Sequence, residues 1–297
     1  MVVRALKLSR VLALAKRLFQ PVANCRCIVI TTCIFSLGSF FFIAPVFSQS
    51  GHGLVNAQFE YDLKITADPA KRAAYLKQSG EAPSPYEQVL NLVKGSMQVA
   101  TIVDKVDIRK DQYRISSTGT LGSVLSTVLA DQKLIRDSVG SVGTNGFLTN
   151  TYQEKRGSTE LLIARVDAPK KVINFYKVSS RNPPTDVSPF YGQMLDMLSV
   201  GYQFIGRPLP TKPTVMTVTD GRSVKNYTLV RGEPWDFPFD GGKVKAIRYY
   251  KTTSKEDQAT FEIWFSEKEH VPLRSVVGLN AQYGATIQLD LKKIPNL

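Results

Sequence analysis

Few residues in this chain could do chemistry, and their spacing decides what each is worth. There are two histidines, His52 and His270. His270 lies in "EKEHVP", with Glu267 and Glu269 just before it. A catalytic histidine works with a nucleophile and an orienting carboxylate brought together in space, and either glutamate would serve as the orienter. The same residues also suit a solvated hairpin turn, with Pro272 opening the next strand. The turn is the expectation for His270. His52 falls where the mature chain is expected to begin, and such ends are loosely held. No thiolate is at hand to complete a metal site with these histidines, because Cys25, Cys27 and Cys33 all lie near the N-terminus.

Acidic groups offer a second chemistry. Glu233, Asp236 and Asp240 in "GEPWDFPFDGG" could supply the two carboxylates of glycoside hydrolysis. Beside proline and glycine they read instead as loop formers. "GSVGTNG", Gly140 to Gly146, is glycine-rich but lacks the lysine and hydroxyl residue of a phosphate loop, so it reads as a turn. There is no G-x-S-x-G elbow. Asn226-Tyr227-Thr228 matches a glycosylation acceptor, which a bacterial host would not use. No catalytic residue, metal ligand or cofactor site is assigned, and the protein reads as a non-enzyme.

The elements that would position any site begin after a distinctive leader. Residues 1–47 contain Arg4, Lys7, Arg10, Lys16, Arg17 and Arg26 and no acidic residue. An apolar run from Cys27 to Phe47 follows, and Val46 and Ser48 are suitably small for a cut before Gln49. This is the pattern of an export signal. The run is also long enough to act as an uncleaved anchor with its basic end in the cytoplasm, which would give the protein its membrane contact. Both forms place residues 49–297 in the periplasm or on the periplasmic face of the envelope. The full chain has 38 basic and 25 acidic residues; setting aside the six basic leader residues leaves 32, a net charge of +7. These charges are interleaved, as in "KVDIRKDQYR" and "YQEKRGSTE", which describes a mixed solvated surface and not a nucleic-acid face.

Past the leader, period two dominates. "AQFEYDLKIT" sets Phe59, Tyr61, Leu63 and Ile65 against Glu60, Asp62 and Lys64. An insertion near 69–94 should be helical: Asp68 can cap, Pro69 suits the first helical position, Gly80 stops it, and residues 86–94 show a second helical spacing. Strands resume at Met97. Residues 121–135 fit helix or strand, with helix favoured. Met194, Leu195, Met197 and Leu198 are expected to form a helical stripe closed by Gly201. Turn signals at Asn145-Gly146, Ala168-Pro169, Asp220-Gly221, Asp240-Gly241-Gly242 and Tyr283-Gly284 separate the remaining strands. The expected fold is mainly β: a curled antiparallel sheet, barrel or half-barrel, with a few short helices, in one domain over residues 49–297.

The order of "DQYRISSTGT", "RDSVGSVGTNGFLTNTYQEKRG", "MLDMLSV", "VTDGRSVKNYTLV" and "FEIWFSEKEHVPLRSVV" resembles the DUF3108 family of exported bacterial proteins of unknown function. The resemblance spans about Ala57 to Leu291; the helical insertion and the long leader depart from it. It implies an envelope protein with a mainly antiparallel, barrel-like fold, and it brings no catalytic residue. Aromatic residues on strand faces either fill such a sheet or line an apolar pocket. The candidates for ligand contact are Tyr61, Phe175, Tyr249, Phe261 and Phe265, with Met194 and Met197 as an adaptable plug. The expected role is binding a lipid-like ligand or an envelope protein partner. The rival readings are a hydrolase of envelope polymers, which needs His270 or the Glu233–Asp240 acids to converge, and an assembly factor, which needs an exposed apolar edge or patch.

Overall fold

The computed structural model describes residues 54–80, 93, 95–122, 133–156, 160–177, 183–252, 259–279 and 284–297. The leader, most of the second helical spacing at 86–94 and most of the ambiguous 121–135 segment lie outside the described residues.

The two-residue rhythm of the first strand, β1 (Val55–Ala67), becomes burial: Val55, Ala57, Phe59 and Tyr61 are buried while Asn56 and Gln58 face out. After β1 the helix α1 (Pro69–Ser79) forms as its signals require. The Asp68 carboxylate accepts the Lys71 N–H at 2.9 Å, and Gly80 closes the helix at φ 68°. A meander follows: β2 (Ser96–Ile108), β3 (Gln112–Leu121), β4 (Leu134–Gly143), β5 (Gly146–Arg156), β6 (Glu160–Asp167), β7 (Val172–Lys177) and β8 (Asp186–Pro189). A second series comprises β9 (Met194–Asp196), the short helix α2 (Ser199–Tyr202), β10 (Thr214–Thr219), β11 (Val224–Phe239), β12 (Gly242–Lys251), β13 (Thr260–Ser266), β14 (Pro272–Gly278) and β15 (Ala285–Leu291).

Among the described residues, all fifteen strands belong to one sheet in the order β8-β7-β6-β5-β4-β3-β2-β1-β15-β14-β13-β12-β11-β10-β9. Every described pairing is antiparallel except β9 with β10, so the protein is mainly β. First and last strands meet in the middle, with Tyr61 opposite Leu291. The two edges, β8 and β9, are consecutive in sequence and joined by residues 190–193. Laid flat, fifteen strands would separate those edges by roughly 67 Å. A link of that length reaches only about 18 Å. The sheet must therefore curl until its edges approach. It stays an open, half-barrel-like roll, since among the described residues no strand pairing joins β8 to β9. Both edge strands are short, four and three residues, which limits the backbone they offer to other chains.

Two local expectations give way to tertiary context. The apolar stripe at Met194–Leu198 is not helical: Met194–Asp196 form β9, paired in parallel with Thr217–Thr219, and α2 begins only at Ser199. Pairing with β10 claims the first three residues, and the Asp196 carboxylate then accepts the N–H groups of Leu198 (2.8 Å) and Ser199 (3.0 Å), which turns the chain. The acidic "GEPWDFPF" segment is not a loop either but the second half of β11, opposite β12. Pro234 falls at the register shift after Arg231, where an absent N–H costs the ladder little.

Candidate functional site

The inner face of the roll carries a polar line that register creates. Asp104 on β2 faces Ser117 on β3, Ser117 faces Arg136 on β4, and Arg136 faces Glu154 on β5. Arg136 donates to the Ser117 hydroxyl at 2.9 Å. From α2, the Tyr202 hydroxyl donates to Asp104 Oδ2 at 2.7 Å and lies 3.0 Å from the Tyr61 hydroxyl. Arg222, in the β10–β11 turn, approaches Glu154 at 3.9 Å. Burial pushes the Asp104 carboxyl above its ordinary value of 3.8, against the opposing pull of Arg136, Ser117 and Tyr202. Among the described residues, Asp104 Oδ1 and Arg136 Nε have no hydrogen-bond partner.

A second polar cluster fastens β9 to the inner face of β4 and β5. The fully buried Asp196 accepts from the Ser138 hydroxyl at 2.5 Å and the Thr149 hydroxyl at 2.8 Å. Tyr113 joins through Ser138 (3.1 Å) and Thr149 (3.0 Å), and its ring stacks on Phe147 at 4.2 Å. Burial raises the Asp196 carboxyl too, more than these hydrogen bonds lower it. The arrangement is a clasp: the β9–α2 segment enters the roll as a plug and is held by charge-assisted bonds in a water-poor interior.

Beside the plug lies an apolar notch of about 80 Å³. Met197 and Val200 of the plug segment form one wall; Met216 and Val218 of β10, Phe261 of β13 and Val277 of β14 form others. Tyr227 and Leu229 of β11 complete the apolar lining, with Lys225 and Lys251 on the same surface. Met197 is 38% exposed, and Lys225 and Thr260 are exposed, so the notch opens to solvent.

Of the candidates for ligand contact, Phe261 and Met197 line this notch. The other five are core: Tyr61, Phe175, Tyr249, Phe265 and Met194 are all buried. Tyr249 donates to the Pro210 carbonyl at 2.6 Å, and Phe265 packs edge-on to Phe204 at 5.3 Å. His270 occupies the β13–β14 turn at φ 55°, its N–H bonded to the Ser266 carbonyl at 3.1 Å. Glu233 stands at the exposed bulge of β11, Asp236 pairs with Lys245 at 2.7 Å on an exposed face, and Asp240 sits in the β11–β12 turn. Among the described residues no hydrogen bond links His270 to these acids, and no group of three or more His, Cys, Asp or Glu could hold a metal ion. The "GSVGTNG" segment is the β4–β5 hairpin tip, and the Arg207 guanidinium donates to the Gly143 carbonyl there.

Asp104, Asp196 and Lys251 were not singled out by sequence reasoning, although two carried a signal. Asp104 falls in the same phase as Ile102, Val106 and Ile108, and Lys251 in phase with Ile247 and Tyr249. A charged residue in the apolar phase of a strand faces inward and needs a partner there. Asp196 belongs to a strand too short to have a phase.

The model of the family described as "Protein of unknown function (DUF3108)" matches residues 85–292, and the chain belongs to that family. No curated protein matches the chain significantly.

Proposed function

We propose that this DUF3108 protein is a non-catalytic binding protein of the bacterial envelope, exported by its leader, which takes the apolar part of a small lipid-like ligand into the notch beside the β9–α2 plug. The observation that carries this reading is the notch: an apolar recess open to solvent, walled by two methionines of adaptable shape and by Phe261. Its size, about half that of the ~150 Å³ cavity known to admit benzene, suits one alkyl end and not two whole tails. A hydrolase reading draws no support from His270 and the Glu233–Asp240 acids, which stand on separate turns and an exposed strand.

Native mass spectrometry of the protein isolated without detergent tests the proposal, with solvent extraction identifying what is released. The expected result is an alkyl compound bound one to one, lost in Val277→Trp, where the indole fills the notch. An unliganded wild type that also ignores added alkyl compounds would overturn it. N-terminal sequencing of the same material is expected to begin at Gln49.

A further inference from the structure

The chain has only two tryptophans, and the sheet brings them together on the face opposite to buried Tyr249 and Phe265. Trp235 of β11 and Trp264 of β13 have ring centroids 5.3 Å apart and planes tilted by 54°. They meet across β12 at its smallest residue on that face. Trp235 is directly opposite Ala246, which is fully buried although it shares a phase with half-buried Arg248. Trp264 lies opposite Arg248. The Arg248 guanidinium stands 5.8 Å from the Trp264 centroid and bonds both carboxylate oxygens of Glu262, at 2.9 and 2.6 Å. The buried ring of Phe237 supports Trp264 at 5.8 Å and is itself covered by Arg274, 4.8 Å away and bonded to Asp290. Trp235 is left 52% exposed on this fixed base.

The surroundings narrow what that indole can take. Arg248 and Arg274 already have acid partners, so an ionic ligand gains little from them. A strand-adding protein is opposed as well. β10 pairs with β11 only as far as Leu229, so among the described residues nothing pairs with 230–239 on that flank. Phe239 and Gly242 close a two-residue turn, which directs the backbone groups of residues 234, 236 and 238 outward. Pro234 and Pro238 have no N–H to offer there. Glu233, Asp236 and Asp240 outnumber Lys243 and Lys245 on this hairpin, which opposes an anionic lipid surface. A sugar ring with equatorial substituents suits the site: its faces are rows of weakly positive C–H groups, matched to the negative face of an indole. Its hydroxyls donate and accept, as a guanidinium–carboxylate pair requires. We infer that Trp235 is the platform of a second binding site, for a neutral chain of β-linked pyranose rings, one ring stacked on the indole and its hydroxyls bonded to Arg248 and Glu262. This site lies apart from the notch and does not rest on its reading.

Because both tryptophans belong to the site, the two indole N–H resonances of the isolated protein report on it directly. Cellotetraose, chitotetraose and tetragalacturonate are each titrated in, and vesicles of phosphatidylglycerol serve as a fourth probe. At least one of the two neutral tetraoses should shift both resonances saturably and bind more tightly than tetragalacturonate. Whichever binds identifies the ring substituent. Trp235→Ala should weaken that binding at least ~tenfold, the scale of one lost stacked ring, while keeping the wild-type urea midpoint to within a small shift. Should Trp235→Ala not fold, Trp235→Leu, which keeps apolar cover over Ala246 without a flat ring, should show the same loss. No saturable shift with either neutral tetraose would overturn the proposal. So would tighter binding of tetragalacturonate, a response to the vesicles alone, or undiminished binding in the folded Trp235 variant.

Discussion

Asp196 is where single-residue chemistry holds the molecule closed. Its carboxylate is fully buried and receives two hydroxyls and two backbone N–H groups. Asp196→Ala strands those donors and is expected to cost about 3 kcal/mol, while Asp196→Asn, which keeps one acceptor oxygen, costs about 1 kcal/mol. Urea denaturation of the two variants checks both sign and order. Asp104 and Asp196 also give stability a pH dependence of definite sign. Burial raises both carboxyls above the ordinary 3.8, so the folded state holds protons that the unfolded chain has released. Their stabilising contribution is complete below 3.8 and is lost as pH climbs through the raised folded values. The urea midpoint of the wild type should therefore fall over that window, and Asp104→Asn, which cannot ionise, should flatten the fall. Equal slopes in variant and wild type would contradict the assignment.

At the level of elements, close approach at one glycine shows how tightly the plug seat is built. Gly140 lies at the register shift between β4 and β5, and a Cβ there would stand 2.1 Å from the Leu148 carbonyl oxygen and 2.5 Å from the Tyr113 ring. Gly140→Ala must displace the ring that stacks on Phe147 and bonds Ser138 and Thr149. The expected loss is about 2 kcal/mol, read from the urea midpoint. β1 was legible because alternation of apolar and polar residues along its thirteen residues has one satisfactory reading. The cap, proline and terminal glycine of α1 were legible for the same reason: each signal is local. What stayed hidden depends on partners distant in sequence. Met194–Asp196 are a strand only because Thr217–Thr219 lie alongside. The acids of β11 look like loop residues until β12 supplies their register. Phe261 and Met197 were legible as apolar side chains on their segments, but not as neighbours, since no spacing reveals which faces meet across a roll.

For the whole molecule, the governing fact is that the sheet is two consecutive meanders joined at their beginnings and ends. One runs from β1 to β8, the other from β9 to β15, and the β1–β15 ladder unites them. The Lys292 N–H still bonds the Glu60 carbonyl at 2.8 Å, so at Lys292 the chain is still alongside β1 and heading in the direction of its first residue, Val55. A permutant joining Leu297 to Leu54 through a Gly/Ser linker and opened at the exposed Asp240–Gly241 turn is therefore expected to keep a single cooperative urea transition. Removal of residues 285–297 should abolish that transition, because β15 carries the ladder with β1 that joins the two series. The same ladder sets a timetable for assembly. A polypeptide delivered amino end first has its opening strand ready at once, yet the neighbour on that strand's other flank arrives only with the closing residues of synthesis. Until then one flank of the sheet's midline is bare, so sealing the seam is a late, non-local step, and the period of greatest risk for clumping falls before the tail comes through.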